Sequence, residues 1–483
     1  MQRRELLRLL ALGSAGGYFL PSQLLAQNSF FSVEEMELLA TEFGADFKWG
    51  TATAAYQIEG AHNKDGKGKS IWDTFTHREG KIKNNENGDV ACDFYHRYPV
   101  DLNILKALNM NVFRFSIAWS RVLPDGVGKV NEKGIEFYHN VINECLRLGI
   151  YPWITLYHWD LPQALEDKGG WTNREVVNWF SEYADLVTKT YGDKVKNWMV
   201  LNEPAAFTGL GYLIGYHAPG KRGFKNFLPA VHHTALCQAE GGRIIRRNVP
   251  NAHVGSTFSC SYVMPFRSEE KDQKAMKRWD VMLNRLFIEP VLGMGYPSSD
   301  WPILKHIEKY VQPGDMEKLK FDFDFVGLQN YTRELVKQNA LIPIMKGLEV
   351  PPKKRGVEEM TEMGWEVYPE GIYQLIKKFA AYPNLPKIYI TENGAAFPDV
   401  VDGETVNDVK RIDFFKRYLK QVLRAKKEGI DIGGYFVWSL TDNFEWSEGF
   451  RPRFGLVHID FTTQKRTVKN SGWWFREFIA RGK

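Results

Sequence analysis

From Phe47 onward, short apolar runs of strand length alternate with longer stretches of helical period. Eight runs have strand character: Phe47–Ala55, Val112–Trp119, Tyr151–His158, Asn197–Glu203, His253–Cys260, Phe323–Tyr331, Lys387–Gly394 and Ile432–Leu440. They are rich in β-branched and aromatic residues and are bounded by turn formers. Between them, apolar residues recur every three or four positions, as at Leu102, Leu105 and Leu108 within Asp101–Leu108. The same spacing predicts helices over Ile135–Leu148, Glu175–Tyr191, Pro229–Arg247 and Ile412–Lys427. Repeated strand–helix order implies a parallel sheet. Eight such units in one chain predict an α/β fold in the form of a single (β/α)8 TIM barrel. An open doubly wound sheet is the alternative, weakened because no Gly-x-Gly-x-x-Gly follows the first run.

The units are unequal. Ala61–Asn87, rich in Gly, Lys, Asn and Asp, is expected to be a long loop after the first strand. Pro- and Lys-rich Gln338–Glu362 is expected to be another after the sixth. Loops that follow barrel strands build the functional face, so both are placed at the mouth of a pocket. No Ser/Gly-rich linker or internal repeat divides the 483 residues, and 43–483 is read as one domain. Ahead of it, Arg3-Arg4 precedes an apolar run from Leu9 to Leu20 that is too short to span a bilayer. Residues 1–26 are therefore read as a cleaved export signal of twin-arginine type and 27–42 as a linker, for a periplasmic or secreted protein with no transmembrane anchor in the mature chain. Without a functional signal the chain would be cytoplasmic.

Composition narrows the function. The net charge of +5 is small for this length and no long Lys/Arg run occurs, so a nucleic-acid partner is not expected. The four cysteines are widely spaced, with no Cys-x-x-Cys pair, and neither a metal nor another cofactor is predicted. Aromatic residues make up 14% of the chain, which suits either a large aromatic core or the stacking of sugar rings. Two glutamates then stand out. Glu203 ends Asn197-Trp198-Met199-Val200-Leu201-Asn202-Glu203-Pro204, and Glu392 ends Lys387-Ile388-Tyr389-Ile390-Thr391-Glu392-Asn393-Gly394. A carboxylate at the edge of an apolar strand costs desolvation energy unless something uses it. Two of them, on strands four and seven of a barrel, can face one pocket as the acid and the second carboxylate of glycosidic-bond cleavage. A separation of ~5–5.5 Å would make the enzyme retaining and ~6.5–9.5 Å inverting; sequence leaves both open.

Six ordered blocks resemble glycoside hydrolase family 1, the β-glucosidase family. They are Phe47–Gly60, Arg114–Trp119, Tyr157–Pro162, Asn202-Glu203-Pro204, Ile390–Gly394 and Trp438–Trp446. The resemblance implies a retaining exo-β-glycosidase, most readily a β-glucosidase acting on cellobiose-like oligosaccharides or on aryl and alkyl β-glucosides. It implies Glu203 as general acid/base, with a raised pKa. It implies Glu392 as nucleophile, held ionised beside Arg114 and bonded by Tyr331. The usual family run is Asn-Tyr-Tyr where this chain has Gln329-Asn330-Tyr331, so the hydrogen bonding there departs from the pattern. Gln57, His158, Trp159, Asn202, Trp438, Glu445 and Trp446 are implied to bind the sugar, Gln57 and Glu445 each engaging two vicinal hydroxyls and Asn202 the 2-hydroxyl. Trp365 is implied to line the aglycone side and Phe454 to close the pocket near the 6-hydroxyl. Glu445, Pro452 and Phe454 argue against a 6-phospho-β-glycosidase, because Glu445 would repel a phosphate. Glu203 argues against a thioglucosidase. A broad β-galactosidase/β-fucosidase and a non-catalytic carbohydrate-binding barrel are the remaining alternatives. The expected partner is a small β-glycoside; oligomeric state is not readable.

Overall fold

The computed structural model describes residues 38–481. The predicted signal and residues 27–37 of the predicted linker lie outside them. Eight strands form the barrel: β1 (Lys48–Ala52), β2 (Val112–Ser116), β3 (Tyr151–Tyr157), β4 (Asn197–Asn202), β5 (His253–Pro265), β6 (Phe325–Gln338), β7 (Lys387–Asn393) and β8 (Ile432–Trp438). Each pairs in parallel with the next, and β8 pairs in parallel with β1, which closes the sheet. Buried on both faces, such strands read as nearly continuous apolar runs.

Eight main helices follow the strands in turn: α1 (Phe94–Ala107), α2 (Glu132–Arg147), α3 (Val176–Tyr191), α4 (Phe224–Asn248), α5 (Glu270–Asp280), α6 (Glu370–Ala380), α7 (Val409–Lys427) and α8 (Asn470–Ala480). The pattern analysis finds α1–α4 and α7 but passes over α5, α6 and α8. In α5 the only buried apolar residues are Ala275 and Trp279, too few to mark a helical period.

The expected strands hold, with β5 and β6 longer than predicted. After a bulge between Cys260 and Tyr262 the two continue as a paired ribbon, Tyr262 against Arg333 through Pro265 against Val336. Beyond Asn330, β6 alternates buried and half-buried residues, the period of a one-sided ribbon rather than a buried barrel strand. Two predicted loops carry structure of their own. Within Ala61–Asn87, Ile71–Thr76 is helical and starts at a capping box: Ser70 Oγ accepts from the Asp73 N–H at 3.2 Å and Asp73 Oδ2 accepts from the Ser70 N–H at 2.7 Å. That helix presents Trp72 to Trp446, ring centroids 4.6 Å apart. Within Gln338–Glu362, Gly347–Glu349 pairs antiparallel with the end of β6.

Inside the barrel two layers lie one above the other. The lower is aromatic: Trp153 meets Phe325, Tyr389 and Phe436 at centroid distances of 5.2, 4.9 and 5.0 Å. The upper is polar and is the floor of the site. All four cysteines are buried free thiols. Among the described residues, no helix is long and apolar enough to cross a membrane.

Candidate active site

A pocket opens at the C-terminal ends of the strands. Eleven of the predicted site residues line it: Glu203, Glu392, Tyr331, His158, Trp159, Asn202, Trp365, Trp438, Glu445, Trp446 and Phe454. Arg114 and Gln57 are fully buried and stand behind its wall.

Strand ends place the two glutamates. Asn202 is the last residue of β4, and the Glu203 N–H donates to the Thr257 carbonyl at 2.9 Å. Glu203 then takes a left-handed backbone, φ 48°, before Pro204 opens a short helix over Pro204–Thr208. Trp159 and Trp446, also on the wall, have φ of 81° and 51°. Left-handed backbone at non-glycine residues costs on the order of 1–3 kcal/mol each, and these three residues line the same pocket.

Glu392, near the end of β7, is held by three donors. Its Oε1 accepts from Arg114 Nη1 at 2.5 Å and Gln329 Nε2 at 2.8 Å, and its Oε2 from the Tyr331 hydroxyl at 2.7 Å. Arg114 also donates through Nη2 to Asn202 Oδ1 at 2.5 Å and through Nε to Thr155 Oγ1 at 3.2 Å. Burial pushes the Glu392 carboxyl up to about 7. Arg114 pulls it down, Glu203 adds to the rise, and the Tyr331 and Arg114 hydrogen bonds lower it again. Burial likewise pushes Glu445 up to about 8, with a hydrogen bond from Trp438 opposing and Glu392 adding. Three carboxyls thus crowd a buried site beside Arg114, and such groups do not all ionise together at neutral pH.

The sugar-binding candidates are preset by their protein partners. Asn202 Nδ2 donates to His158 Nε2 at 2.8 Å. Burial, with Arg114 nearby, holds His158 well below its usual range, so the ring is neutral and its proton lies on Nδ1. That Nδ1 is buried and has no hydrogen-bond partner among the described residues. Gln57 differs from expectation. Its Nε2 is spent on Asn443 Oδ1 at 3.0 Å and the Phe444 carbonyl at 2.8 Å, with Glu445 Oε2 at 3.4 Å. Only its Oε1 has no partner among the described residues. Trp365 packs on Tyr331 at 5.4 Å and on Phe454 at 6.2 Å, a second aromatic wall of the pocket.

Three contributors escaped the sequence analysis. Thr257 donates to Asn202 Oδ1 at 2.9 Å. His217 lines the pocket with both ring nitrogens buried and unpartnered, beside Trp72 and Trp159 at 5.2 and 5.6 Å; burial holds its pKa down at about 3. Gln329 was noted only as a departure from a motif. A lone Thr or His in an apolar run carries no signal of its own, and only their assembly gives them a role. Among the described residues, no group of three or more His, Cys, Asp or Glu is arranged to hold a metal ion.

Comparison with known proteins agrees with this geometry. The model of glycosyl hydrolase family 1 matches residues 39–483. β-Glucosidase A of Thermotoga maritima is 44% identical over 447 residues, covering 91% of this chain and 98% of that protein. A bifunctional β-D-glucosidase/β-D-fucosidase of Bifidobacterium breve is 39% identical over 458 residues, covering 91% and 98%. Among solved structures, the Thermotoga maritima family 1 β-glucosidase in complex with glucoimidazole superposes with a TM-score of 0.86 at 43% identity, covering 92% of this chain and 100% of that one. The chain belongs to glycosyl hydrolase family 1.

Proposed function

From that family membership and the geometry of the pocket, we propose that the protein is a retaining exo-β-glucosidase that releases terminal β-D-glucosyl residues from cellobiose-like oligosaccharides and aryl or alkyl β-glucosides. One observation carries the reading: Glu203, just after β4, and Glu392, on β7, share one buried, aromatic-walled pocket, and Glu392 is clamped by the Arg114 guanidinium, the Gln329 amide and the Tyr331 hydroxyl.

Those three donors, the Arg114 guanidinium above all, favour the ionised form of Glu392, and the proton that the pair shares is assigned to Glu203. Glu203 gives it to the glycosidic oxygen while the Glu392 carboxylate attacks the anomeric carbon. The C–O bond to the aglycone breaks and a glycosyl ester forms. As Glu392 loses its charge, the repulsion that favours a protonated Glu203 disappears. Glu203 becomes a base, takes a proton from water, and the resulting attack on the anomeric carbon frees Glu392. Asn202, His158, Gln57 and Glu445 engage the sugar hydroxyls, and Trp438 and Trp446 cover the ring. Trp365 lines the aglycone side.

The test is kcat/KM over aryl β-glycosides that differ at one hydroxyl, with glucosides expected to lead. A wild type inert to the whole panel would sink the reading. The relative from Bifidobacterium breve motivates including a β-fucoside, and equal values on glucoside and fucoside would shift the assignment to a dual-specificity enzyme. With Glu392→Gly, added azide should yield the α-glycosyl azide; a β-azide would remove Glu392 as nucleophile. The proposal extends to residues 1–26 as a cleaved export signal, supported by Arg3-Arg4 and the following apolar run. Sequencing the mature N-terminus after expression in a host with a twin-arginine pathway tests it.

A further inference from the structure

Gln329 is fully buried at the centre of the polar layer. Its Nε2 lies 2.8 Å from Glu392 Oε1 and 2.8 Å from Asn202 Oδ1, with Thr257 Oγ1 farther off at 3.3 Å. The polarity of these contacts is forced. Arg114 can only donate, so the Asn202 atom that faces its Nη2 at 2.5 Å must be the oxygen. The Gln329 atom facing that same oxygen must then be its nitrogen, which also suits the Glu392 carboxylate. Gln329 Oε1 is left buried and without a partner among the described residues, so the side chain is oriented by its nitrogen alone. With Oδ1 turned inward to Arg114, Gln329 and Thr257, the Asn202 amide must present Nδ2 outward, toward His158 and the pocket.

We propose that Gln329 is a positioning residue that couples Asn202 to Glu392, holding the donor for the 2-hydroxyl and the attacking carboxylate in one fixed register through a single amide nitrogen. The inference rests on the reading of Glu392 as nucleophile. One NH2 group with two hydrogens serves both partners, so loss of either contact loosens the other. A hydrogen bond at the 2-hydroxyl is worth most at the transition state, where the attacking oxygen must already be aligned. Removing Gln329 should therefore harm a substrate that has a 2-hydroxyl more than one that lacks it.

The experiment compares wild type, Gln329→Leu and Gln329→Glu on 4-nitrophenyl β-glucoside and its 2-deoxy analogue. Gln329→Leu should lower kcat/KM about 10–100-fold on the parent glucoside, the scale of a lost hydrogen bond to a charged group. On the 2-deoxy substrate it should lose at least about fivefold less. Equal losses on the two substrates would overturn the coupling. Gln329→Glu keeps the shape of the side chain and so keeps the test available if the leucine variant does not fold. Its carboxyl donates only when protonated, so its activity relative to wild type should fall as pH rises; a ratio that does not change with pH would overturn the proposal as well. A wild type inert on both substrates, or a Glu392→Gly variant that azide does not rescue to the α product, would instead defeat the assigned function.

Discussion

The floor of the barrel and the layer directly above it belong to one sheet and share strands β6 and β7. Below, Trp153, Phe325, Tyr389 and Phe436 meet edge to face or tilted, and their packing depends on volume and shape. Above, Arg114, Asn202, Thr257, Gln329 and Glu392 are tied by directional bonds of 2.5 to 2.9 Å, and Arg114 is completely buried. The lower layer gains from being removed from water; the upper layer loses solvation and recovers it only if every donor meets its acceptor. The comparison separates what holds the fold from what performs chemistry, a few ångströms apart on one sheet.

Substitutions can break that separation. The largest expected effect is in the upper layer: Glu392→Ala should cut kcat by about 10⁴–10⁶-fold, as loss of a nucleophile does elsewhere. Single-turnover assays would check it, and residual activity above a thousandth of wild type would contradict the role. Next is the floor. Trp153→Ala should cost about 3–5 kcal/mol of stability in denaturant melts, yet leave kcat per folded molecule within a few-fold of wild type. A collapse of kcat in the folded fraction would show that the layers are not independent.

Smaller effects sharpen the contrast by pH. Tyr331→Phe removes the hydroxyl that donates to Glu392 Oε2, and should lower kcat/KM by about 10–100-fold. Because that bond lowers the Glu392 pKa, the acid limb of kcat/KM should move upward in the variant. In wild type that limb should already lie above the ordinary Glu value of ~4.3. The smallest effect concerns Glu445, whose folded-state pKa of about 8 stands above its ordinary value of 4.5, mainly through burial. The folded protein then binds more protons there than the unfolded chain, so this group's contribution to stability falls as pH rises from 4.5 to 8. Glu445→Gln should therefore melt higher than wild type at alkaline pH, with the gap closing below pH 4.5. Melting curves across pH would check it, and a gap independent of pH would contradict the burial account.

The chain itself determined the barrel and the identity of most of the wall. Strand-length apolar runs repeat eight times, with helical spacing legible after five of them, because each unit must bury its own apolar face, and that local demand is written in local sequence. The carboxylates were legible for the same reason: Glu203 and Glu392 interrupt apolar runs at a place where a charge has no packing value. The helix α5 was not legible, since it buries too few apolar residues to show a period; α6 and α8 bury apolar residues at helical spacing and were passed over. The state of each polar atom was not legible either. That Gln57 has spent its nitrogen, that His158 carries its proton on Nδ1, and that Gln329 bridges Asn202 and Glu392 all depend on partners between 44 and 387 positions away in the chain. A residue type declares which hydrogen bonds it can make. Only the closed barrel, by bringing strands β2, β4, β5, β6 and β7 around one axis and excluding water, decides which of them it does make.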